Sequence, residues 1–346
     1  MGVVKLGDVA RESRLKWTKS KQDVPIVGLE HLIPDEIRFD AYDINTDNTF
    51  SKRFVKGQVL FGRRRAYQRK AAIAEFDGIC SGDITVIEAI EGKMVPELLP
   101  FIIQTPVFFD YANRGSAGSL SPRVKWEHLA DYEFELPPLE EQKILADKLW
   151  AAYRLKEAYK KLLDATDEMV KSQFIEMFKG DNQVPLGDIC NIEKGATITR
   201  NDVLPGEVPV VAGGQEPSCY HNVANREAGA ITVSASGAYA GYINFWNCPI
   251  FASDCNTIIS KDDEKTDQTF VYFGLRAMQK QIYGLQKGGA QPHVYGKDLQ
   301  KFMFPCPSYA KQIEFSKMAK QADKSKFELR KSIDAIDKVI KSLINN

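Results

Sequence analysis

Ser51 to Lys70, SKRFVKGQVLFGRRRAYQRK, holds Lys52, Arg53, Lys56, Arg63, Arg64, Arg65, Arg69 and Lys70 and not one acidic residue. Lysines and arginines at this density neutralise phosphates, and a guanidinium can meet a guanine edge through two parallel hydrogen bonds. Phe61 and Tyr67 are interleaved with the charges. The whole chain is neutral, with 46 Lys and Arg against 46 Asp and Glu. The stretch is therefore a local excess of positive charge, and it points to a polyanion. A solvated edge strand guarded by charge is the competing explanation. The candidate contacts here are Lys52, Arg53, Arg63, Arg64, Arg65, Tyr67, Arg69 and Lys70.

Catalytic chemistry is harder to find. The sequence contains no P-loop, no GxGxxG after a strand, no HExxH and no GxSxG. An Asn/Asp-Pro-Pro-aromatic string, the adenine-methyltransferase signature, is missing; LPPLEE at Leu136 has only the prolines. His31, His128, His221 and His293 are dispersed, with no Ser or Cys partner to suggest a triad. Six cysteines lack CxxC spacing, and Cys219, His221, Cys248 and Cys255 match no familiar zinc pattern. They read as reduced residues, several of them buried. Asp254 in ASDCN reads as a buried turn residue, since the first half has CSGDI at that place. No catalytic residue, cofactor site or metal site is expected in this chain.

The elements that must position the basic residues are written twice. AGSLSPRV (Ala117–Val124) and KGGAQPHV (Lys287–Val294) align Gly118 with Gly288, Pro122 with Pro292 and Val124 with Val294, a displacement of 170 residues. The same displacement carries Leu129 onto Leu299, Phe134 onto Phe304, Pro137 onto Pro307 and Gln142 onto Gln312. It also carries DATDEMVKS (Asp164–Ser172) onto DAIDKVIKS (Asp334–Ser342) without a gap. Nearby displacements match KLGDVA with PLGDIC and VPIVG with VPVVA. At 172, Gly57, Ala66-Tyr67 and Ser81 fall on Gly229, Ala238-Tyr239 and Ser253.

Each copy reads as a β-rich globular part followed by a long helix. GQVLFG, ITVIEAI, GAITVSASG and NTIIS carry strand signals, while Val95–Tyr111 and Thr269–Tyr283 read as helical. Pro137-Pro138 and Pro305/Pro307 then mark a change of period. Helix is expected from Leu139 to Phe178 and from Tyr309 to the C-terminus; the first would span about 55 Å if unbroken. Leu329, Ile333, Ile336, Ile340 and Leu343 form a coiled-coil seam in the second helix. Tyr159, Leu163, Thr166, Val170 and Gln173 are the matched positions of the first, with Leu162 and Met169 widening the stripe. Helices this long outrun a domain core, so the two are expected to pair with each other. Joining the chain ends would give two nearly equivalent halves, related by a pseudo-two-fold axis, with the globular parts at opposite ends of antiparallel helices.

The second copy of the charged stretch, VSASGAYAGY (Val233–Tyr242), is small and neutral, so the two copies are expected to read different ligands. Its candidate contacts are Ser234, Ser236 and Tyr239. Lys287, Gln291 and His293, with Arg123 in the first copy, are further candidates in the two matched loops. The recurring glycine and proline make a structural junction the first reading of those loops. No run approaches the roughly 20 apolar residues of a membrane helix. The N-terminal segment lacks the apolar core of a secretory signal, and Leu6 stands where a myristoylation motif needs Ser or Thr. The expected compartment is the cytoplasm.

Taken together, the LGDV start, the GxxLFxRR and ITVSASGAYAGYINF…FASDCNTI cores, the GGAQPHVYGKDL and LPPLEEQKIL boundaries and the long helices resemble the specificity subunits of type I restriction–modification systems. The resemblance covers the whole chain. It implies an α+β fold of two similar β-rich target-recognition domains separated by a pair of long antiparallel coiled-coil helices. The domains would span 1–138 and 180–308, and the spacer helices 139–179 and 309–346. Each domain would read one half of a bipartite double-stranded DNA target, and the helices would dock two methyltransferase subunits. S-adenosylmethionine is then expected in those partners, methylation and cleavage belong to other subunits, and an endonuclease/translocase subunit can join. A stand-alone tandem DNA-binding regulator and a coiled-coil protein adaptor are the alternatives.

Overall fold

Val59–Gly62 (VLFG) and Ala230–Ser234 (AITVS) are buried at every position. A short run that buries both faces cannot alternate, and such a segment becomes a central strand. The computed structural model describes residues 2–117 and 121–345. In the first copy the strands are β1 (Gly2–Lys5), β2 (Ala10–Glu12), β3 (Ile26–Val27), β4 (Lys52–Phe54), β5 (Val59–Gly62), β6 (Ala71–Ile73), β7 (Gly78–Cys80), β8 (Ile84–Ala89) and β9 (Glu133–Leu136). Its helices are α1 (Leu6–Val9), α2 (Leu99–Ile103), α3 (Pro106–Arg114), α4 (Trp126–Ala130) and the 40-residue α5 (Leu139–Phe178). The second copy repeats the plan. Its strands are β10 (Gln183–Pro185), β11 (Cys190–Lys194), β12 (Val208–Val211), β13 (Cys219–His221), β14 (Ala230–Ser234), β15 (Ile243–Trp246), β16 (Phe251–Ala252), β17 (Cys255–Ser260) and β18 (Met303–Pro305). Its helices are α6 (Leu186–Ile189), α7 (Gln268–Ala277), α8 (Gln279–Tyr283), α9 (Gly296–Gln300) and α10 (Tyr309–Asn345).

The chain divides into two compact units. Unit 1 is Met1–Glu157 with Asp334–Asn346, and unit 2 is Ala158–Ile333. Each owns part of each long helix: unit 1 about half of α5 and about a third of α10, unit 2 the rest.

In unit 1 an antiparallel four-stranded sheet runs β2-β8-β5-β6, and β1 pairs with β9. Unit 2 has the counterparts β11-β17-β14-β15 and β10-β18. The repeated Val-Pro-(Ile/Val)-Val strings form β3 and β12, each beside a parallel neighbour, β7 or β16. The third strand of this small sheet differs. In unit 1 it is β4, bound to β7; in unit 2 it is β13, bound to β12 on the other edge. The strand carrying Lys52 and Arg53 thus has no counterpart in unit 2. Gly57 and Gly229, matched in the sequence, both enter their central strand with φ near +90°, a conformation that L side chains rarely adopt.

The expected helix over Val95–Tyr111 is broken. Thr105 and Pro106 end α2 and start α3, with the Thr105 hydroxyl accepting from Phe108 N. In unit 2 Asp267 caps α7 by accepting from Phe270 N at 2.7 Å. Both fill the orphan donors of a helix start. The repeated glutamine explains itself here. Gln142 is buried; its Oε1 accepts from Val95 N and its Nε2 donates to Pro137 O, each at 2.8 Å. Gln312 does the same with Asp267 N and Pro307 O at 2.9 and 3.0 Å. Each pins the start of a long helix to the loop ahead of its own domain helices.

The long helices pair, as their length leads one to expect. Within unit 1, Lys156 Nζ meets Asp337 Oδ1 at 2.6 Å; within unit 2, Lys326 Nζ meets Asp167 Oδ1 at 2.6 Å. These two bridges are each other's image under the 170-residue repeat. Eleven residues on from Lys156, Asp167 meets Lys326, eleven residues back from Asp337, so the pairing is antiparallel. Leu329, Ile333, Ile336, Ile340 and Leu343 are half-buried on the paired face, as are Tyr159, Leu163 and Thr166. Two positions differ from the sequence pattern. Leu162 does widen the seam at its edge, half exposed in a groove with Tyr159 and Thr166 and with Ser325 and Leu329 of α10, whereas Met169 is exposed. Gln173 is exposed too, and the neighbouring Phe174 packs instead into the aromatic core with Phe270, Phe304 and Phe315. Hydrophobic transfer favours the ring over the amide where the helix enters a domain core.

Candidate nucleic-acid interface

The basic stretch folds across two sheets, and acids from distant positions come to meet it. On β4, Lys52 Nζ reaches Glu12 Oε1 at 3.2 Å and donates to Ile84 O at 2.9 Å. Arg53 pairs with Asp77 at 3.3 Å, its guanidinium 5.9 Å from the Trp17 ring centroid. Arg69, in a left-handed turn (φ +55°), pairs with Asp35, and Lys70 donates to Leu29 O at 2.7 Å. Arg64 and Arg123 share Asp83, at 3.2 and 2.7 Å. Among the described residues no carboxylate pairs with the side chain of Arg63, Arg65 or Lys56, though Asp77 accepts from Lys56 N at 3.0 Å. The local charge excess read from the sequence is thus partly cancelled by Glu12, Asp35, Asp77 and Asp83. What remains centres on Arg63–Arg65 and Arg123, beyond the C-terminal end of β5.

That end is built the same way in both units. In unit 1, Arg63 N donates to Asp83 O (2.9 Å), Val124 N to Arg63 O (3.0 Å) and Arg65 N to Pro122 O (2.8 Å). In unit 2, Ala235 N donates to Asp254 O (3.0 Å), Val294 N to Ala235 O (2.9 Å) and Gly237 N to Pro292 O (3.1 Å). The hairpin closures match as well: Ala117 with Arg123, and Lys287 with His293, each exchange two backbone hydrogen bonds. Arg64 lies against Arg123 where Ser236 lies against His293. The matched loops are therefore junctions, stapled to the end of the central strand. They also carry candidate contacts to the same place. Gly288 sits in its loop at φ +96°, which explains the glycine; its partner Gly118 lies outside the described residues.

Other candidates divide. Tyr67 and Tyr239 occupy equivalent turns beyond the strand end, and both rings are exposed. Gln291 is exposed, and His293 lies near-parallel to the Tyr295 ring with centroids 6.0 Å apart. Ser234 is buried, its hydroxyl 3.4 Å from Gly214 O. Lys287 is tied to Asp298 at 2.7 Å. Both read as structural.

Sequence reasoning missed Asp83 as a partner of the basic residues. Burial disfavours its charge, but the hydrogen bonds and charges of Arg123 and Arg64 outweigh this, holding its carboxyl below the usual carboxylate range. Asp83 is therefore a carboxylate at neutral pH. The available signal was the repeated serine of the turn, Ser81 and Ser253, two and one residues before an aspartate. The one-residue offset hid the equivalence.

Two other clusters carry no chemistry. Glu30, His31 and Asp43 lie close enough to share a cation. However, Gly28 N donates to His31 Nδ1 at 2.9 Å. The ring proton then sits on Nε2, so neither nitrogen has a lone pair to offer. Burial pushes the thiols of Cys80, Cys190 and Cys255 up to about 12, which makes them inert.

The chain matches the family described as "Type I restriction modification DNA specificity domain" twice, over residues 1–165 and 180–337. It is 23% identical over 377 residues to the putative type I restriction enzyme MjaX specificity subunit of Methanocaldococcus jannaschii, covering 95% of this chain and 87% of that protein. It is 25% identical over 132 residues to the type I restriction enzyme EcoDI specificity subunit of Escherichia coli; the match covers 37% of this chain and 29% of that protein. In fold it is similar to the S subunit of a type I restriction–modification system from M. genitalium, with TM-score 0.66, 13% identity and 99% and 94% of the two chains covered. A chain from a study of assembly and conformational transition in the type I system superposes with TM-score 0.57 at 17% identity, covering 99% and 96%.

Proposed function

The chain belongs to the family of type I restriction–modification DNA specificity subunits, and from that premise we propose a division of labour among its parts. The role of such a subunit is recognition of DNA, with catalysis in separate methyltransferase and restriction subunits. In our reading, 1–138 and 180–308 are target-recognition domains, each facing one half of a bipartite duplex target. Segments 139–179 and 309–346 are the spacer helices. One observation carries this reading: the strand-end frame occurs twice, stapled by the same backbone bonds, and presents arginines in unit 1 but small neutral groups in unit 2. A common frame with unlike side chains suits two modules that read unlike sequences.

Two methyltransferase subunits, which bring S-adenosylmethionine, dock on the long helices; an endonuclease/translocase subunit joins through them. Support lies in α5. Leu155, Leu162 and Met169 are exposed at seven-residue intervals, with exposed Ala158 and Ala165 between them. That 4-3 spacing is a second apolar stripe beside the paired face, with Leu162 at the edge of the groove between the helices, and it suits a partner helix.

The test is co-expression with a type I methyltransferase subunit, followed by methylation mapping and DNA titration at several salt concentrations. Two half-sites are expected. Changing Arg63, Arg64 and Arg65 to Ala should weaken binding, shrinking the salt slope by roughly one for each phosphate that is no longer neutralised. The reading fails if methylation is independent of this chain, or if the triple variant binds with unchanged affinity and salt slope.

A further inference from the structure

A carboxylate beside an arginine weakens its pull on phosphate, because it cancels the charge that attracts the anion. Asp83 does this to two arginines at once. Its Oδ1 accepts from Arg123 Nε at 2.7 Å and its Oδ2 from Arg64 Nη1 at 3.2 Å. What it adds is direction. A side chain held by a neighbour's hydrogen bonds loses the rotamer freedom that blurs recognition. Arg64 is held at a second point, Nε to Ser121 Oγ, and so acts as the clamp between strand end and loop. Among the described residues the Arg123 side chain is hydrogen-bonded at Nε alone. Its two terminal amino groups take no part in the Asp83 contact, and the side chain is 47% exposed. That outer edge of a guanidinium is a fork of the right width for N7 and O6 of guanine.

Resting on the recognition reading above, we propose that Arg123 reads a guanine in the half-site bound by unit 1 and that Asp83 is its positioning residue.

Unit 2 provides the comparison that separates positioning from charge balance. His293 stands at the position of Arg123, and Ser236 at that of Arg64. Asp254 is still there, and its carboxylate accepts from the Ser236 hydroxyl. No arginine or lysine pairs with Asp254 among the described residues. A carboxylate kept only to neutralise cations would have no purpose there. One that orients whatever side chain follows the central strand has the same purpose in both units. The group that Asp254 holds is the Ser236 hydroxyl, at the place of Arg64; at the place of Arg123 stands His293, which offers no fork of donors. Unit 2 should then have no guanine contact of this kind.

The experiment selects bound duplexes from a random library, using the full chain in complex with its methyltransferase, and compares Arg123→Ala and Asp83→Asn with the parent. Asp83→Asn keeps the shape but loses the charge and one acceptor. The parent should select guanine in one half-site. Both variants should lose that preference roughly ten- to a hundredfold at that single base, with the other half-site unchanged as an internal control. Asp83→Glu should recover part of it. A structural role alone would lower binding at all sequences without moving the preference at one base. The proposal is overturned if the half-site contains no guanine, or if either variant keeps the preference. Selection of no sequence at all by the parent complex would overturn the recognition reading with it, and is distinguishable from both.

Discussion

At the scale of single residues, the recurrence of a side chain marks a backbone problem solved twice. Gln142 and Gln312 are buried amides, each bonding one backbone N–H and at least one carbonyl that nothing else satisfies in the same way. Truncation leaves those groups unpaired in an apolar setting. Gln142→Ala and Gln312→Ala should each lower stability by about 1–3 kcal/mol in urea unfolding. The two losses should be similar, since the partners correspond. A variant as stable as the parent would mean that water replaces the amide and that the identity has another origin. The basic residues carry the opposite lesson. Arg69 and Arg53 are conspicuous in the sequence but engaged by Asp35 and Asp77. Exposed pairs of this kind contribute little to stability, so they modulate the surface potential rather than hold the fold.

At the scale of elements, the long helices divide their length between two tasks. Where they enter the units they are buried, through Leu149, Trp150 and Tyr153 at one end of α5 and Val170, Phe174 and Phe178 at the other. Between Tyr153 and Val170 no residue of α5 is fully buried. The middle is therefore free of any domain core, and its length is adjustable. Seven residues inserted after Lys160 and after Arg330 keep the heptad in phase and leave both Lys–Asp bridges intact. About 10 Å of rise is added. At about 3.4 Å per base pair, the gap between half-sites should widen by roughly three base pairs. Binding should also weaken, because the half-sites rotate about the duplex by roughly 100° and the DNA must twist or bend to follow. Methylation mapping of the variant complex reads the gap directly. An active complex that keeps the original gap would show that these helices do not set it.

At the scale of the whole molecule, the chain is a scaffold for recognition with no reaction of its own. Highly purified protein given S-adenosylmethionine and DNA should transfer no methyl group until a methyltransferase subunit is added. Transfer by the chain alone, abolished by a point change within it, would refute that. No helix among the described residues is long and apolar enough to cross a membrane. The net charge of zero also belongs to this scale. On the recognition reading proposed above, binding falls to local patches, such as the one at the end of β5, rather than to a field over the whole surface.

What the sequence determined by itself was the repeat, the fold class and the two long helices. Periodicity, proline punctuation and ungapped identities are local signals, and they survive without coordinates: Gln142 with Gln312, Asp164–Ser172 with Asp334–Ser342. Only the tertiary structure decided which charges are free. Asp83 lies 19 residues from Arg64 and 40 from Arg123, and Asp35 lies 34 from Arg69. Those pairs depend on how strands are stacked side by side. The edge chosen by the third strand, β4 on β7 but β13 on β12, was hidden for the same reason. Met169 shows the limit within a helix: it continues the regular apolar spacing but is exposed, because the width of the covered face depends on rotation about the axis. A sequence records that a face is apolar; the packing decides what covers it.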